Sequence, residues 1–324
     1  MSNKLIHVEI IAPVHNRRDI TLQCLRSLSR IDRAGLNVHI IIVDDGSTDG
    51  TGEAIQKNFP DVEIVQGDGN LWYTAGTNRG IEAALEKQPD YVLAINDDSV
   101  FDEKFLHRMV ACAESNPKSV VGPLLLLWDE PHKVFQVAPK WSVSYGGWQH
   151  LYKQTVWTMP RAAWEVEAIV GNCVLLPVEA IRRVGLMDAK KFPHYGDTDY
   201  TVRMRRAGWR LLIEPGARVF CQPNAPLPAL REQSLKNLLN RLFFNERSAH
   251  SLKRIWMLNW ETSPSRVRGL LASAVFLTRL GLKTFGLAGR WPNDWPEENL
   301  LPPHNSDSGI EQDRKSNDAV CRIE

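Results

Sequence analysis

The sequence lacks several features that would mark whole classes of protein. Its 324 residues carry a net charge of only +1, so no basic field predicts binding to nucleic acid. None of its five cysteines stands in a C-x-x-C pair, which favours reduced thiols in the cytoplasm over a disulfide framework or a zinc knuckle. No uncharged apolar run reaches about 18 residues and no secretory leader is evident, so neither a spanning helix nor a signal peptide is expected.

Two nucleotide-binding signatures are also missing. No G-x-G-x-x-G follows the first apolar run, and no G-x-x-x-x-G-K-[ST] occurs anywhere in the chain. The sequence therefore argues against a nicotinamide-dependent oxidoreductase and against a P-loop protein. If the protein binds phosphates, it must hold them in another way, and a divalent cation on carboxylates is the obvious route.

The first hundred residues do contain a regular alternation of strand and helix patterns. Apolar runs at 7–14, 38–45, 61–68 and 91–97 are separated by helical stretches, which predicts an α/β fold with a parallel sheet covered on both faces. Ligands of such sheets bind at the carboxyl ends of the strands. The predicted strands end in PVHN, DDGS, GDGN and NDDS, so a binding site is expected at this edge.

The two acids that end the fourth strand need a partner, because adjacent carboxylates repel each other. Solvent or a cation must therefore offset the repulsion between Asp97 and Asp98. Mg²⁺ or Mn²⁺ is usually held by one or two carboxylates together with phosphate oxygens and water, and Asp98, with Asn96 and Asp97 beside it, suits such a site. The alternative is a capped turn in which Asp98 or Ser99 starts the next helix.

Two further acidic motifs each have two interpretations. Asp44, at the end of the second strand, either accepts a hydrogen bond from a nucleobase or belongs to a plain strand–turn–helix junction. Asp197 and Asp199 begin a predicted helix that ends near Gly208. They either cap and stabilise that helix or, behind a loop that contains His194, present a carboxylate that abstracts a proton in a cleft.

Taken together, five stretches resemble the family 2 glycosyltransferases with the GT-A fold, in the order and at the spacing of that family. They are IAPVHNRRDITLQCLRSL, IIIVDDGSTDGT, GNLWYTAGTNRGI, YVLAINDDS and HYGDTDYTVRMRRAGWRLLIEP. The resemblance covers residues ~7–250 and lies nearest to the rhamnosyltransferase-like branch, which builds surface polysaccharides. It implies a Rossmann-like, mostly parallel sheet flanked by helices in a domain of residues 1–225, with a nucleotide-binding half (1–98) and an acceptor half (99–225).

The resemblance also implies an activity: inverting, metal-dependent transfer of a sugar from a UDP- or dTDP-linked donor to a glycan or lipid-linked acceptor, with Mg²⁺ or Mn²⁺ as cofactor. Asp98 would hold the metal ion and Asp197 would be the catalytic base. Nine positions would contact the nucleotide and its phosphates or support those contacts: Pro13, His15, Asn16, Asp44, Asp45, Gly76, Asn78, Asn96 and Asp97. Further candidates for contact with the sugar, the acceptor or the diphosphate are Trp72, His194, Asp199 and Arg247.

The sequence departs from the family pattern at two positions. The first acid of the D-x-D motif is replaced by Asn96, which leaves fewer charges for a metal ion. Where the family often places a histidine, this chain has Cys221 followed by Gln222. These departures predict a weak metal site or a substitute ligand. A catalytically silent module that binds sugar nucleotides or glycans is the alternative function.

The C-terminal part of the chain is expected to be helical over residues 226–292 and disordered over the polar tail 293–324. Within it, residues 265–290 form an apolar helix pattern with several arginines set into it. Two interpretations stay open for this helix. It either lies in a membrane interface on the inner face of the plasma membrane, close to a lipid-linked acceptor, or packs on the domain or in a homodimer interface.

Overall fold

The structure, a computed structural model, describes residues 5–149, 153–222, 234–245 and 251–284. Arg247 and the tail 293–324 therefore lie outside the described residues. The first hundred residues form alternating strands and helices: β1 (Ile6–Val14), α1 (Arg18–Leu28), β2 (Leu36–Asp44), α2 (Thr51–Asn58), β3 (Glu63–Gln66), α3 (Trp72–Glu86) and β4 (Tyr91–Ile95). These strands coincide with the four apolar runs of the sequence.

The second part of the chain adds shorter strands and further helices. In chain order they are β5 (Ser99–Phe101), α4 (Phe105–Ser115), β6 (Ser119–Leu127), β7 (Val134–Gln136), β8 (Lys140–Ser142), β9 (Gly147–Gln149), β10 (Trp164–Glu165), β11 (Cys173–Pro177), α5 (Val178–Val184), α6 (Gly196–Arg206), β12 (Arg210–Cys221), α7 (Leu235–Leu239), α8 (Leu252–Thr262) and α9 (Arg266–Thr284). Because β5 follows Asp98 directly and α4 begins only at Phe105, the alternative interpretation, a helix that starts at Asp98 or Ser99, is wrong.

The main sheet has the strand order β10-β12-β6-β11-β4-β1-β2-β3, with β5 added to β12 and β7 added to β6. Strands β1 to β4, β6 and β12 run in the same direction, so the sheet is mostly parallel, as predicted. Strand β11 lies antiparallel between β4 and β6, and Cys173 pairs there with Ile95. A strand from the second part of the chain thus borders the last strand of the first part.

Each face of the sheet buries its own apolar cluster, because successive side chains of a strand point to opposite faces. On one face, Ile10 of β1 belongs to a buried cluster with Leu25 of α1 and Phe105 of α4. On the other face, Ile11 belongs to a cluster with Ile81 of α3 and other buried residues. Coverage on both sides explains why these strands read as continuous apolar runs.

The helices α8 and α9 pack on the domain through specific polar contacts. Asn259 of α8, which is buried, donates its amide to the carbonyl of Gly146 at 3.0 Å. The indole of Trp148 donates to the hydroxyl of Thr262 at 2.8 Å. Arg206 of α6 donates to the carbonyls of Glu261 and Ser263 at the C-terminal end of α8, where helix carbonyls lack intrahelical partners.

The outer face of α9 is apolar and exposed. Five of its large apolar side chains are 41–67% accessible: Val267, Leu270, Leu271, Leu277 and Leu282. None of the described helices is both long enough and apolar enough to cross a membrane. The outer face of α9 is therefore a surface feature that the contacts within the described chain do not cover.

Candidate active site

The candidate site lies where the parallel strands β1, β2 and β4 end. Asp44, the last residue of β2, is 4% exposed and accepts a hydrogen bond from the backbone N–H of Ser47 at 3.0 Å. Gly52 lies so close that a β-carbon there would stand 2.8 Å from the Oδ2 atom of Asp44. The turn after β2 therefore orients the Asp44 carboxylate, the predicted partner of a nucleobase.

Asp45 supports the loop that leads into α3. Its Oδ1 atom accepts the N–H of Gly69 at 2.8 Å, and its Oδ2 atom accepts the N–H groups of Leu71 at 2.9 Å and Trp72 at 3.2 Å. A carboxylate at a helix N-terminus is also stabilised by the helix dipole. The contacts of Asp45 are thus with the backbone, as a supporting residue requires.

The residues after β1 form hydrogen bonds with the turn that follows β2. The Nδ1 atom of His15 donates to the carbonyl of Asp45 at 2.6 Å. Asn16, with φ of 52°, donates its N–H to the hydroxyl of Ser47 at 3.0 Å and accepts the N–H of Thr48 at 2.7 Å. Both His15 and Asn16 are exposed, so they border the space above the turn.

Two of the predicted pocket residues make packing contacts. A β-carbon at Gly76 would lie 2.8 Å from the β-carbon of Pro13, so a glycine is needed for α3 to approach β1. Asn78 donates to the carbonyl of Met187 at 2.8 Å and accepts its N–H at 3.0 Å. The amide of Asn78 is therefore engaged in holding the segment before α6.

Arg17 is the cation beside the paired acids, and the sequence reasoning missed it. Its guanidinium donates to Asp97 at 2.9 Å and to Asp98 at 3.0 Å. Asp97, which is 3% exposed, also accepts the hydroxyl of Thr21 at 3.0 Å. Burial raises the pKa of Asp97 to about 6, the Arg17 charge opposes this rise, and the charge of Asp98 adds to it. The position of Arg17, shortly after β1, places it at the carboxyl edge of the sheet, but no local pattern in the sequence assigns it to these two acids.

Asn96 and Asp98 each retain an oxygen atom for a further ligand. The Oδ1 atoms of both residues are buried and have no hydrogen-bond partner in the described part of the chain. Carboxylate and amide oxygens are the ligands that Mg²⁺ and Mn²⁺ prefer. An unpartnered buried oxygen costs free energy unless something binds it. The residues present therefore fit a divalent cation at the end of β4.

Asp197 is a half-buried carboxylate in the first turn of α6. Its Oδ2 atom accepts the backbone N–H of Gly171 at 2.7 Å. Burial raises the pKa of Asp197, and the hydrogen bond from Gly171 opposes that rise. The hydroxyl of Tyr73 donates to the carbonyl of Gly171 at 3.0 Å, and its pKa is raised by burial and by the Asp197 charge. A carboxylate with a raised pKa suits a general base.

The dipeptide Gly171–Asn172 contacts both Asn96, at the end of β4, and Asp197, at the start of α6. The N–H of Asn96 donates to the carbonyl of Asn172 at 2.9 Å, and the neighbouring Gly171 bonds Asp197. This segment leads into β11, which carries it to the end of β4. The structure thus brings Asn96 and Asp197 to the same short loop.

The remaining candidates have partners within the protein. The rings of Trp72 and His194 stack with centroids 4.8 Å apart and an interplanar angle of 17°. Asp199 accepts a hydrogen bond from Arg203 at 2.8 Å, and burial raises the pKa of Asp199 although the Arg203 charge opposes it. Cys221, in the position of the family's histidine, is buried, with its sulfur 3.7 Å from the hydroxyl of Ser99.

Comparison with known proteins identifies the family. The profile described as "Glycosyl transferase family 2" matches residues 9–157, and that described as "Glycosyl transferase family group 2" matches residues 91–289, more than half of the chain. In fold, the chain is similar to the crystal structure of GalNAc-T7 with UDP, GalNAc and Mn²⁺. That similarity has a TM-score of 0.55 at 14% identity and covers 75% of this chain and 49% of the other. It supports the predicted GT-A fold.

Two curated relatives are 26% identical to the chain. The N-acetylglucosaminyl-diphospho-decaprenol L-rhamnosyltransferase of Mycobacterium tuberculosis aligns over 206 residues, 56% of this chain and 66% of its own length. The succinoglycan biosynthesis protein ExoA of Rhizobium meliloti aligns over 225 residues, 65% of this chain and 64% of its own length. The match thus spans slightly less than two thirds of each relative. With its matching profiles, ordered motifs and fold, the chain belongs to the family 2 glycosyltransferases, in their rhamnosyltransferase-like branch.

Proposed function

We propose that the protein is an inverting, metal-dependent glycosyltransferase. It moves a sugar from a UDP- or dTDP-linked donor to a glycan or lipid-linked acceptor in the synthesis of a cell-surface polysaccharide. The observation that carries this proposal is that Asn96 and the half-buried Asp197 contact the same short loop, while the Oδ1 atoms of Asn96 and Asp98 have no hydrogen-bond partner in the described part of the chain. The name of the mycobacterial relative supports L-rhamnose and a polyprenyl-linked acceptor as the first substrates to test.

Donor binding would use the ends of β1, β2 and β4. Asp44, oriented by Ser47, accepts a hydrogen bond from an N–H of the uracil or thymine ring. Asn96 and Asp98 would hold a divalent cation, which, when bound, supplies Lewis-acid neutralisation of the charge on the diphosphate. Arg17, bound to Asp97 and Asp98, keeps the paired acids in place and adds a positive charge near the phosphates.

The transfer step would use Asp197 as general base. As the acceptor hydroxyl attacks the anomeric carbon, its proton passes to Asp197 while the bond from that carbon to the diphosphate oxygen breaks. A single displacement of this kind inverts the anomeric configuration, by the logic of inverting glycosidases with an alcohol in place of water. The hydrogen bond from Gly171 fixes the carboxylate, and burial raises its pKa and hence its strength as a base.

Two substitutions test the assignment. We expect Asp197→Asn to leave donor binding nearly unchanged and to lower turnover by about 10²–10⁴, the usual contribution of a general base. We expect Asp98→Ala to abolish metal-dependent donor binding. Donor binding is measured by calorimetry with Mn²⁺ and turnover with a polyprenyl-linked acceptor. Asp188→Asn is the control, because Asp188 lies near the start of the segment before α6, pairs with Lys191 and is not a candidate site residue.

The results separate the proposal from its alternative. Unchanged nucleotide affinity in Asp98→Ala would contradict the metal assignment, and full turnover in Asp197→Asn would contradict the base. A silent binding module would bind donor without transferring or hydrolysing it in the presence of Mn²⁺. A screen of UDP-, dTDP- and GDP-linked sugars by thermal shift identifies the donor, because a bound ligand stabilises the folded state.

We also propose that the outer face of α9 contacts a membrane that carries the lipid-linked acceptor. The face is apolar and exposed, and Trp256 of the neighbouring helix α8 is 46% exposed. Glu261 is the only acidic residue among the described residues from 234 to 284. Eight basic residues lie there: Lys236, Arg241, Lys253, Arg254, Arg266, Arg268, Arg279 and Lys283. This combination is typical of interfacial helices that bind anionic lipid.

A further inference from the structure

A second group of potential metal ligands lies away from the carboxyl edge of the sheet. His7 and Glu9 alternate near the start of β1, so their side chains point to the same face. His39 of β2 is the register partner of Glu9. The proposed transfer site uses none of these three residues, which lie five or more positions before the ends of their strands.

The three side chains converge on one point. The Nε2 atom of His7 lies 2.7 Å from the Oε1 atom of Glu9, and the Nδ1 atom of His39 lies 2.9 Å from the same oxygen. Each residue offers one ligand atom, and these three atoms lie within 4.8 Å of one another. A tetrahedral ion at about 2.0–2.2 Å from each ligand would hold these atoms about 3.3–3.6 Å apart, so shifts of less than about 1 Å would let them share one ion.

The Glu9 carboxylate is the feature that points to a ligand. Its side chain is fully buried, and its Oε2 atom has no hydrogen-bond partner in the described part of the chain. Both imidazoles contact Oε1, so they leave Oε2 unsatisfied. Lys87 bonds Glu63 at 2.7 Å, and its charge acts on Glu9 through space without a hydrogen bond. A buried carboxylate with an unmatched oxygen is costly unless a cation or a donor compensates it.

We propose that His7, Glu9 and His39 bind a single transition-metal ion of the zinc class, such as Zn²⁺ or Co²⁺. Two imidazole nitrogens and a carboxylate form a ligand set that suits these ions, whereas the oxygen ligands at Asn96 and Asp98 suit Mg²⁺ or Mn²⁺. Three protein ligands leave a fourth position for water. The His39 side chain is 52% exposed, so an ion can enter from solvent.

A metal ion at this site would connect β1 to β2, away from the proposed transfer site. His7 is fixed on its other side, because its backbone N–H donates to Asp90 at 2.9 Å. A bound ion would therefore connect three backbone segments and stabilise the folded state by mass action.

Cobalt binding to tag-free protein tests the proposal. We expect one equivalent of Co²⁺ to bind the full chain with the visible absorption of a nitrogen-containing, low-coordinate site, and to raise the melting temperature. The titration is repeated in Asp98→Ala, which removes the oxygen-ligand site, so that the two sites are distinguished. A site at His7, Glu9 and His39 keeps its signal in that variant even if the proposed transferase function is wrong.

His39→Ala is the decisive variant, because it removes an exposed ligand with little effect on the core. We expect it to weaken Co²⁺ binding by at least about tenfold, the loss seen even when only outer-shell partners are removed. Glu9→Gln, which keeps the shape of the side chain, should do the same. His107→Ala is the matched control, since His107 contacts Asp32 elsewhere on the surface. Equal Co²⁺ binding in His39→Ala and wild type, or no spectrum at millimolar Co²⁺, would overturn the proposal.

Discussion

Arg17 allows two adjacent carboxylates to follow a buried strand. Without Arg17, the charged form of Asp97 would be destabilised twice, by its burial away from water and by repulsion from the neighbouring Asp98. Its guanidinium bonds one oxygen of each acid and leaves the Oδ1 atom of Asp98 unbound. A single side chain thus neutralises part of the local charge and still leaves Asp98 able to bind a further cation.

Replacing Arg17 should therefore destabilise the fold. We expect Arg17→Ala to lower the free energy of unfolding by about 2 kcal/mol, the scale of lost hydrogen bonds to charged groups. Arg18→Ala is the control, since Arg18 pairs with the exposed Asp19 and surface pairs contribute about 0–1 kcal/mol. Urea denaturation measures both variants. An equal loss in the free energy of unfolding at the two positions would show that the Arg17 contacts stabilise the fold no more than an exposed surface pair does.

The raised pKa of Asp197 predicts a pH dependence of the transfer reaction. A base must be deprotonated to act, so kcat/KM should fall by about tenfold per pH unit once the pH drops below the pKa of Asp197. Because burial raises that pKa, the fall should begin above 3.8, the ordinary value for an aspartic acid. Circular dichroism at each pH confirms that the protein stays folded. A rate that stays flat down to pH 4 would contradict the assignment.

The individual roles of the acids were only partly predictable from the sequence. The supporting role of Asp45 in nucleotide binding stays a prediction, and the structure shows its carboxylate bonded to backbone N–H groups of the loop before α3. The pairing of Asp199 with Arg203 follows from their spacing of four residues on one helix, a pattern that was available in the sequence. Arg17 could not be assigned, because its partners lie 80 and 81 positions away and no local pattern specifies such contacts.

At the scale of elements, the loop before β11 has little room for side-chain atoms. A β-carbon at Gly171 would lie 2.7 Å from the β-carbon of Asp197 and would also clash with the Tyr73 hydroxyl. The loop therefore needs glycine there to approach both α3 and α6. The position of Asp197 depends on this close approach.

Gly171→Ala should disturb both stability and activity. We expect a loss of about 1–3 kcal/mol, as for other overpacked sites, and a lower kcat because Asp197 is displaced. Gly281→Ala in α9 is the matched control. Nothing lies within 4 Å of its added β-carbon, so it should be neutral or stabilising by up to about 1 kcal/mol. Thermal unfolding and turnover are measured for both, and equal behaviour would contradict the packing argument.

The strands of the first hundred residues were predictable because they are buried on both faces and read as apolar runs. One interpretation of the segment after Asp98 was the start of a helix, but residues 99–101 pair with β12, whose partner residues 219–221 lie about 120 positions away. Long-range pairing of this kind overrides local helix propensity. The antiparallel insertion of β11 was likewise not visible in any local pattern.

At the scale of the whole molecule, α8 and α9 present one face to the domain and one to solvent. The inner contacts are specific, such as the bond from Asn259 to Gly146. The sequence left open whether this region packs on the domain or lies at a membrane. The structure makes the two interpretations compatible, because a helix can dock through one face and expose the other.

The exposed face of α9 should bind anionic vesicles. We expect full-length protein to co-sediment with vesicles containing phosphatidylglycerol and to release as salt is raised, because charge attraction is screened. The double substitution Leu270→Glu and Leu271→Glu should weaken binding by about tenfold or more, since each buried leucine contributes over 1.4 kcal/mol. Leu5→Glu, an exposed apolar residue elsewhere, is the control.

A truncation after Thr262 gives a second comparison for the same surface. Equal vesicle binding by the truncated and full-length proteins would remove the membrane contact. Sedimentation in the absence of vesicles tells whether a second copy of the chain covers the face instead. In that case the double substitution would change the oligomeric state and not the lipid affinity.

Strand β11 has one more consequence, for how the molecule can be divided. Its backbone completes the hydrogen bonds of β4 on one side and reaches β6 on the other. A chain cut between Asp98 and Ser99 would leave the N-terminal fragment with an open, aggregation-prone strand edge. The donor-binding segment should therefore not be transplantable as an autonomous module, and recombination between relatives should succeed only when β4 and β11 are exchanged together.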